Sequence, residues 1–74
     1  MRNEIVLAFS THLRRIREEK KMSQEDLAFE ADLSRRTILR IEQGSHNPSL
    51  VVLVSLARAL NITLIKLLDF HIPE

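Results

Sequence analysis

Three arginines and a threonine lie close together in the middle of the chain. Arg35, Arg36 and Thr37 are consecutive, and Arg40 follows one helical turn after Arg36. Arginine carries a planar fork of N–H donors that can bond to O6 and N7 of guanine, and threonine can contact thymine or a phosphate. On a short helix in the major groove, these four side chains predict sequence-specific recognition. The alternative is that they are ordinary exposed residues of a helix.

Four polar residues around these arginines are suited to phosphate contacts. Gln24 and Ser34 each stand where a helix is predicted to begin, and side chains and free backbone N–H groups at helix starts bind phosphate. His46 and Asn47 follow the arginine segment and are placed for backbone or groove contacts. A plain turn explains Asn47 nearly as well.

The segment 23–44 predicts two short helices joined by a tight turn. Ser23 and Asp26 form a capping box that starts the first helix, and Asp32 to Ser34 supply a turn and a second cap. The second helix is predicted over 35–43 and ends at Gly44. This arrangement is the helix-turn-helix, whose second helix enters the major groove of DNA.

The flanking segments predict three more helices, so the chain 1–74 is expected to form a single all-α domain. Apolar residues at helical spacing predict a first helix over 3–20, with His12 half-exposed beside them and without a special role. A nearly continuous apolar segment predicts a helix over 50–60. A last helix is predicted over 64–70, followed by a frayed tail over 71–74.

The net charge of +1 is small, but the charges are unevenly distributed. Residues 1–22 have a net charge of +3, residues 23–33 contain four acids and no base, and residues 34–44 have a net charge of +2. Charges that only solvate a surface would not be expected to separate by sign along the chain in this way. The uneven distribution of charge favours DNA contact by the second motif helix and by the first helix of the chain.

Glu42 is the acid in the otherwise basic second motif helix, one position after the apolar Ile41. We expect it to pair with Arg17 of the first helix. Such an ion pair would attach the second motif helix to the rest of the domain.

Several classes of function are disfavoured by composition. Without cysteine, and with His12, His46 and His71 far apart, neither a metal site nor a cofactor is expected. No spacing joins a nucleophile to a base, so we do not expect an enzyme. No apolar segment is long enough to cross a membrane and no signal peptide is evident, which predicts a soluble protein of the cytoplasm.

The C-terminal part, 50–72, contains more apolar residues than a small core needs. They could form a two-fold dimer interface, because one small domain makes few contacts with DNA. The alternative is that some of them complete the core. The candidate interface residues are Val51, Val52, Ile65, Phe70 and Ile72.

The chain resembles the Cro/repressor-type helix-turn-helix family over residues 9–68. The resemblance rests on Arg17, SQEDLA at 23–28, IxxIExG at 38–44, NPS at 47–49 and LAxAL at 56–60. It implies a five-helix, lambda-repressor-like DNA-binding fold. It also implies phosphate contacts at Gln24 and Ser34, base contacts at Arg35 to Thr37, and a buried Arg17–Glu42 pair.

Within that family, LAFSTHLRRIR and LAFEADLSRRTI are similar to segments of restriction-modification controller proteins. That similarity implies a homodimer that binds palindromic operators in double-stranded DNA and activates or represses transcription, with RNA polymerase as a further partner. A phage or plasmid repressor, an antitoxin, or an interaction module that keeps the shape without reading DNA are the alternatives.

Two positions depart from the family pattern. Lys21 stands where these domains usually have a glycine, so either the lysine adopts left-handed geometry at a cost of about 1 kcal/mol or the first helix ends differently. Asp32 replaces the usual turn glycine, a milder change because Asp tolerates that geometry.

Overall fold

Five helices form the part of the chain that the computed structural model describes, residues 3–73, and no strand occurs there. The all-α prediction is therefore confirmed. The helices are α1 Glu4–Glu19, α2 Gln24–Ala31, α3 Arg35–Glu42, α4 Leu50–Ala59 and α5 Leu64–Leu67.

A polar side chain caps the start of each helix by accepting hydrogen bonds from backbone N–H groups of the first turn, which have no partner within the helix. The five caps are Asn3, Ser23, Ser34, Ser49 and Thr63. Ser23 and Asp26 form the predicted capping box, with both hydrogen bonds at 2.9 Å. The helix starts were thus readable from the sequence.

Residues with left-handed backbone geometry follow four of the five helices and turn the chain. Asp32 and Asn61 have φ of 56° and 57°, and Gly44 has φ of 77°. Lys21 also adopts left-handed geometry, with φ of 58°. Its N–H donates to the carbonyl of Glu18 at 2.9 Å, and the next N–H along the chain donates to the carbonyl of Arg17. Of the two possibilities left open for Lys21, the structure shows the strained lysine.

The last helix is shorter than predicted. The periodicity predicted a helix over 64–70, but α5 ends at Leu67, and Leu68 has already left helical geometry. Phe70 instead lies with its ring centroid 5.9 Å from that of Phe9 on α1. This aromatic contact explains why the chain turns back after α5. Glu74 of the predicted tail lies outside the described residues.

The core lies where α1, α2, α3 and α4 meet, and α5 closes one end of it. Leu13, Leu27, Ile38, Ile41 and Leu56 are completely buried within it. Ile38 and Ile41 come from α3, so the core fixes the rotation of that helix about its own axis.

His12 is buried rather than half-exposed, and the expectation that it has no special role is wrong. Its Nε2 lies 3.3 Å from the carbonyl of Lys66 at the end of α5. Nδ1 lies 2.6 Å from Nη2 of Arg15, and the ring packs against Phe70. Because arginine only donates, Nδ1 accepts and Nε2 carries the proton. His12 therefore joins α1 to α5.

None of the helices within residues 3–73 has the length and apolar content needed to cross a membrane.

Candidate nucleic-acid interface

The second motif helix, α3, presents its basic residues to solvent. Arg35, Arg36 and Arg40 are exposed, and Thr37 is half-buried. Because Ile38 and Ile41 occupy the buried side of α3, the arginines lie on the side that faces solvent. The structure thus places on one short helix the four side chains that the sequence predicted as base-reading residues.

Ser34 and Thr37 are hydrogen-bonded to each other at the start of α3. The Ser34 hydroxyl accepts the backbone N–H of Thr37 at 3.0 Å, and the two hydroxyl oxygens of these residues are 2.8 Å apart. When the Thr37 hydroxyl donates in that contact, the Ser34 hydroxyl is free to donate to a phosphate oxygen. Ser34 can therefore cap the helix and bind a phosphate at the same time.

Arg17 and Glu42 form the ion pair that was expected between α1 and α3. Nε and Nη2 of Arg17 donate to the two carboxylate oxygens of Glu42 at 2.6 and 3.0 Å. Nη1 donates to the carbonyl of Met22 at 2.7 Å, and the Glu42 side chain is fully shielded from solvent. Hydrogen bonding to Glu42 raises the pKa of the Arg17 guanidinium above its usual value, although burial acts against this.

The Glu42 carboxylate also contacts Gln24, the residue at the start of α2 that is predicted to contact a DNA phosphate. Nε2 of Gln24 donates to Oε1 of Glu42 at 3.2 Å. One of the two amide hydrogens is therefore engaged within the protein, and the second remains for a phosphate. No feature of the sequence predicts that Glu42 orients Gln24.

Arg14, which the sequence placed on the solvent or DNA side of the first helix, was not among the residues predicted to contact phosphate. Its Nη2 donates to the backbone carbonyl of Glu42 at 3.3 Å, and its Nε lies 3.8 Å from Oε1 of the same residue. The side chain remains 51% exposed. Its spacing of three residues from Arg17 was the available signal, because residues three apart share a helix face.

His46 and Asn47 lie in the loop between α3 and α4. His46 is half-buried and Asn47 is exposed. Asn47 and Pro48 also line an apolar cleft against Phe9 and Phe70. Their phosphate contacts remain predictions.

Comparison with known proteins decides the family. The helix-turn-helix family model matches residues 13–67. The chain belongs to the helix-turn-helix family. It is 46% identical over 71 residues to control protein C.BamHI of Bacillus amyloliquefaciens, covering 95% of this chain and 88% of the relative. It is 41% identical over 66 residues to control protein C.MunI of a Mycoplasma species, covering 88% of this chain and 89% of the relative.

Solved structures agree with the sequence comparisons. The fold matches the restriction-modification controller protein C.AhdI of Aeromonas hydrophila with a TM-score of 0.82 and 40% identity, covering 84% of this chain and 94% of that one. This helix-turn-helix protein is therefore a DNA-binding transcriptional regulator of the restriction-modification controller type. The predicted family resemblance is confirmed.

The apolar candidates for a dimer interface divide into two groups in this helix-turn-helix domain. Val51, Ile65 and Ile72 are 75%, 84% and 54% exposed. Val52 and Phe70 are partly buried and pack against the core. For these two the structure supports the alternative that they complete the core.

The first motif helix has a different surface from α3. Its acids, including Glu25 and Glu30, are exposed, and Phe29 between them is 74% exposed. The regulator therefore presents a basic surface on α3 and an acidic surface with one aromatic ring on α2.

Proposed function

We propose that this protein is a homodimeric, sequence-specific controller of a restriction-modification system that binds palindromic operators in double-stranded DNA. The observation that carries the proposal is the exposed arginine surface of α3, held in place by the buried Arg17–Glu42 pair. A helix whose position is fixed in this way can present its arginines to base edges without a further cost for ordering its backbone on binding.

The base-reading residues in this proposal are Arg35, Arg36, Thr37 and Arg40. The phosphate contacts are those of Gln24, Ser34, His46 and Asn47. Gln24 and Ser34 begin the two motif helices, where backbone N–H groups and the positive end of the helix dipole also favour phosphate.

A homodimer accounts for exposed apolar side chains in the C-terminal part of the chain. Val51, Ile65 and Ile72 are large apolar side chains in solvent on the C-terminal part of the chain. A two-fold arrangement would cover them and give two copies of α3 that read the two halves of a palindrome. Sedimentation that shows a monomer at tens of micromolar protein would contradict the dimer.

RNA polymerase is the further partner in this proposal when the output is activation. The α2 surface, with Glu25, Phe29 and Glu30, suits a basic protein surface that also contains an apolar pocket. In a transcription assay, Phe29→Ser should then reduce activation without changing operator binding. The protein acts in the cytoplasm with its DNA and has no catalytic role.

In-vitro selection of bound duplexes from a random library tests the proposed function. The expected result is a palindromic site whose binding falls steeply with salt, because Arg and Lys contacts release counterions from the phosphates. The proposal fails if no duplex is enriched or if binding is insensitive to salt. Either result favours an interaction module that keeps this shape without reading DNA.

Neighbouring genes separate the controller from other regulators. A methyltransferase and an endonuclease beside the gene would agree with the proposed role. An integrase or a toxin would instead indicate a phage repressor or an antitoxin.

A further inference from the structure

Glu42 brings together side chains from three helices. Its Oε1 accepts from Nη2 of Arg17 on α1 at 3.0 Å and from Nε2 of Gln24 on α2 at 3.2 Å. The same oxygen lies 3.8 Å from Nε of Arg14 on α1. The amide of Gln24 and the guanidinium of Arg14 are therefore neighbours, because both approach one oxygen atom at the end of α3.

Arg14 and Arg17 differ in how many of their N–H donors remain available to a ligand. The Arg17 side chain is 10% exposed, and its fork is occupied by Glu42 and the carbonyl of Met22. The Arg14 side chain is 51% exposed, and its hydrogen bond to the carbonyl of Glu42 uses one N–H of the five that a guanidinium carries. Arg17 is thus a structural cation, whereas Arg14 is held in place with most of its donors in solvent.

We infer that Arg14 is a DNA phosphate contact. Glu42 orients it so that its guanidinium and the amide of Gln24 bind the same stretch of the DNA backbone. The inference rests on the proposed function, since it assumes that α3 enters the groove beside these residues. A guanidinium fork matches the geometry of a phosphate, and fixing it beforehand reduces the entropy lost on binding.

Salt dependence separates this role from a purely structural one. Each phosphate contact contributes about 0.9 to the slope of log K against log salt on duplex DNA. Arg14→Ala should therefore lower the slope by about 0.9 per chain, or about 1.8 for a dimer. The ratio of wild-type to variant affinity should then fall about 12-fold between about 50 and 200 mM salt. A side chain that only braces α3 would change affinity and leave the slope unchanged.

The experiment titrates the full chain, as wild type and as Arg14→Ala, into a duplex recovered by selection with the wild type and into a scrambled duplex of the same length. A phosphate contact should weaken binding to both duplexes by similar factors. Arg14→Lys keeps the charge and should restore the slope. Arg58→Ala is the matched control, because it removes an exposed arginine from α4, outside the helix-turn-helix, and should leave the slope at the wild-type value.

The outcomes are distinct. An Arg14→Ala slope equal to that of wild type, in a variant whose thermal unfolding shows it to be folded, overturns the inference. A reduced slope in Arg58→Ala of the same size also overturns it, because the effect would then follow net charge. If the wild type binds neither duplex, the proposed function itself fails and the inference fails with it.

Discussion

The guanidinium of Arg17 and the carboxylate of Glu42 meet through two hydrogen bonds inside the protein, at 2.6 and 3.0 Å. Removing Arg17 leaves the buried Glu42 carboxylate with only the Gln24 amide and the more distant Arg14 guanidinium, and breaking a buried ion pair typically costs about 3–5 kcal/mol. Arg17→Ala should therefore lower the free energy of unfolding, measured by urea denaturation at neutral pH, by about that amount.

Replacing both Arg17 and Glu42 tests whether an unpaired buried charge causes this loss of stability. Arg17→Met combined with Glu42→Leu leaves no isolated charge and should be less destabilising than either single change. Glu19→Ala, at an exposed position of the same helix, is the control and should stay within about 0.5 kcal/mol of wild type. An Arg17→Ala variant within that range would contradict a structural role for the pair.

Lys21 provides a test of backbone strain. Its φ of 58° places a side chain in left-handed geometry, which costs an ordinary residue about 1 kcal/mol or more and costs glycine nothing. Allowing for the greater entropy of glycine in the unfolded chain, Lys21→Gly should stabilise the fold by about 0.5 to 1 kcal/mol. That gain corresponds to a rise in Tm of about 2 to 8 °C for a domain of this size.

Lys20→Gly is the matched change at the neighbouring position. Lys20 has φ of −82°, a conformation that any residue adopts, so glycine brings no relief there and should lower Tm. Equal Tm values for the two variants would show that the strain at Lys21 is negligible.

The capping box of α2 predicts a pH dependence. The backbone N–H and the hydroxyl of Ser23 interact with the Asp26 carboxylate and hold its pKa below the usual value. The folded state therefore favours the ionised carboxylate. The resulting stabilisation is present above the unfolded pKa of about 3.9 and is lost as the pH falls through the lower folded pKa.

Measuring Tm from pH 2 to 7 for wild type and Asp26→Asn checks this prediction. The Tm advantage of wild type should be constant near neutral pH and shrink at acid pH. Glu25→Gln, on the same turn but outside the capping box, is the control for loss of a charge. An advantage that does not change with pH would contradict the role of the ionised Asp26.

Most of the fold could be predicted because its signals are local. A serine or threonine before an apolar periodic segment marks a helix start, and Gly44 and Asn61 mark helix ends, since these residues tolerate left-handed geometry. The end of α5 depends instead on the contact of Phe70 with Phe9, which is distant in sequence. The burial of His12 likewise depends on a carbonyl of α5.

The placement of the candidate site residues was predictable to a similar degree. Arg35 and Arg36 follow from residue type and from position on the helix. The hydrogen bond between Gln24 and Glu42 and the contacts of Arg14 with Glu42 do not, because they arise where three helices meet. Sequence spacing identifies the face that Arg14 shares with Arg17, but only packing shows which of the two remains in solvent.

Ile65 and Phe29 are a matched pair for testing the dimer. Both are large, exposed apolar residues, at 84% and 74%, and only Ile65 belongs to the proposed interface. Burying such a side chain contributes about 1.5 kcal/mol or more, and a two-fold interface contains two copies. Ile65→Ser should therefore raise the dimer dissociation constant at least about 100-fold, measured by sedimentation, whereas Phe29→Ser should not. Equal dissociation constants for the two variants would exclude Ile65 from the interface.

Arg35 and Arg36 should each determine a different base pair of the half-site. A bidentate contact from arginine to guanine contributes about 1–3 kcal/mol of discrimination. Arg35→Ala should therefore relax one position in a repeated in-vitro selection, and Arg36→Ala should relax another, with about 5- to 150-fold weaker preference at that position. Arg58→Ala removes the same charge from α4 and should leave the selected sequence unchanged. If both α3 variants weakened binding equally to every sequence, the two arginines would be phosphate contacts, and base reading would have to come from Thr37 and Arg40.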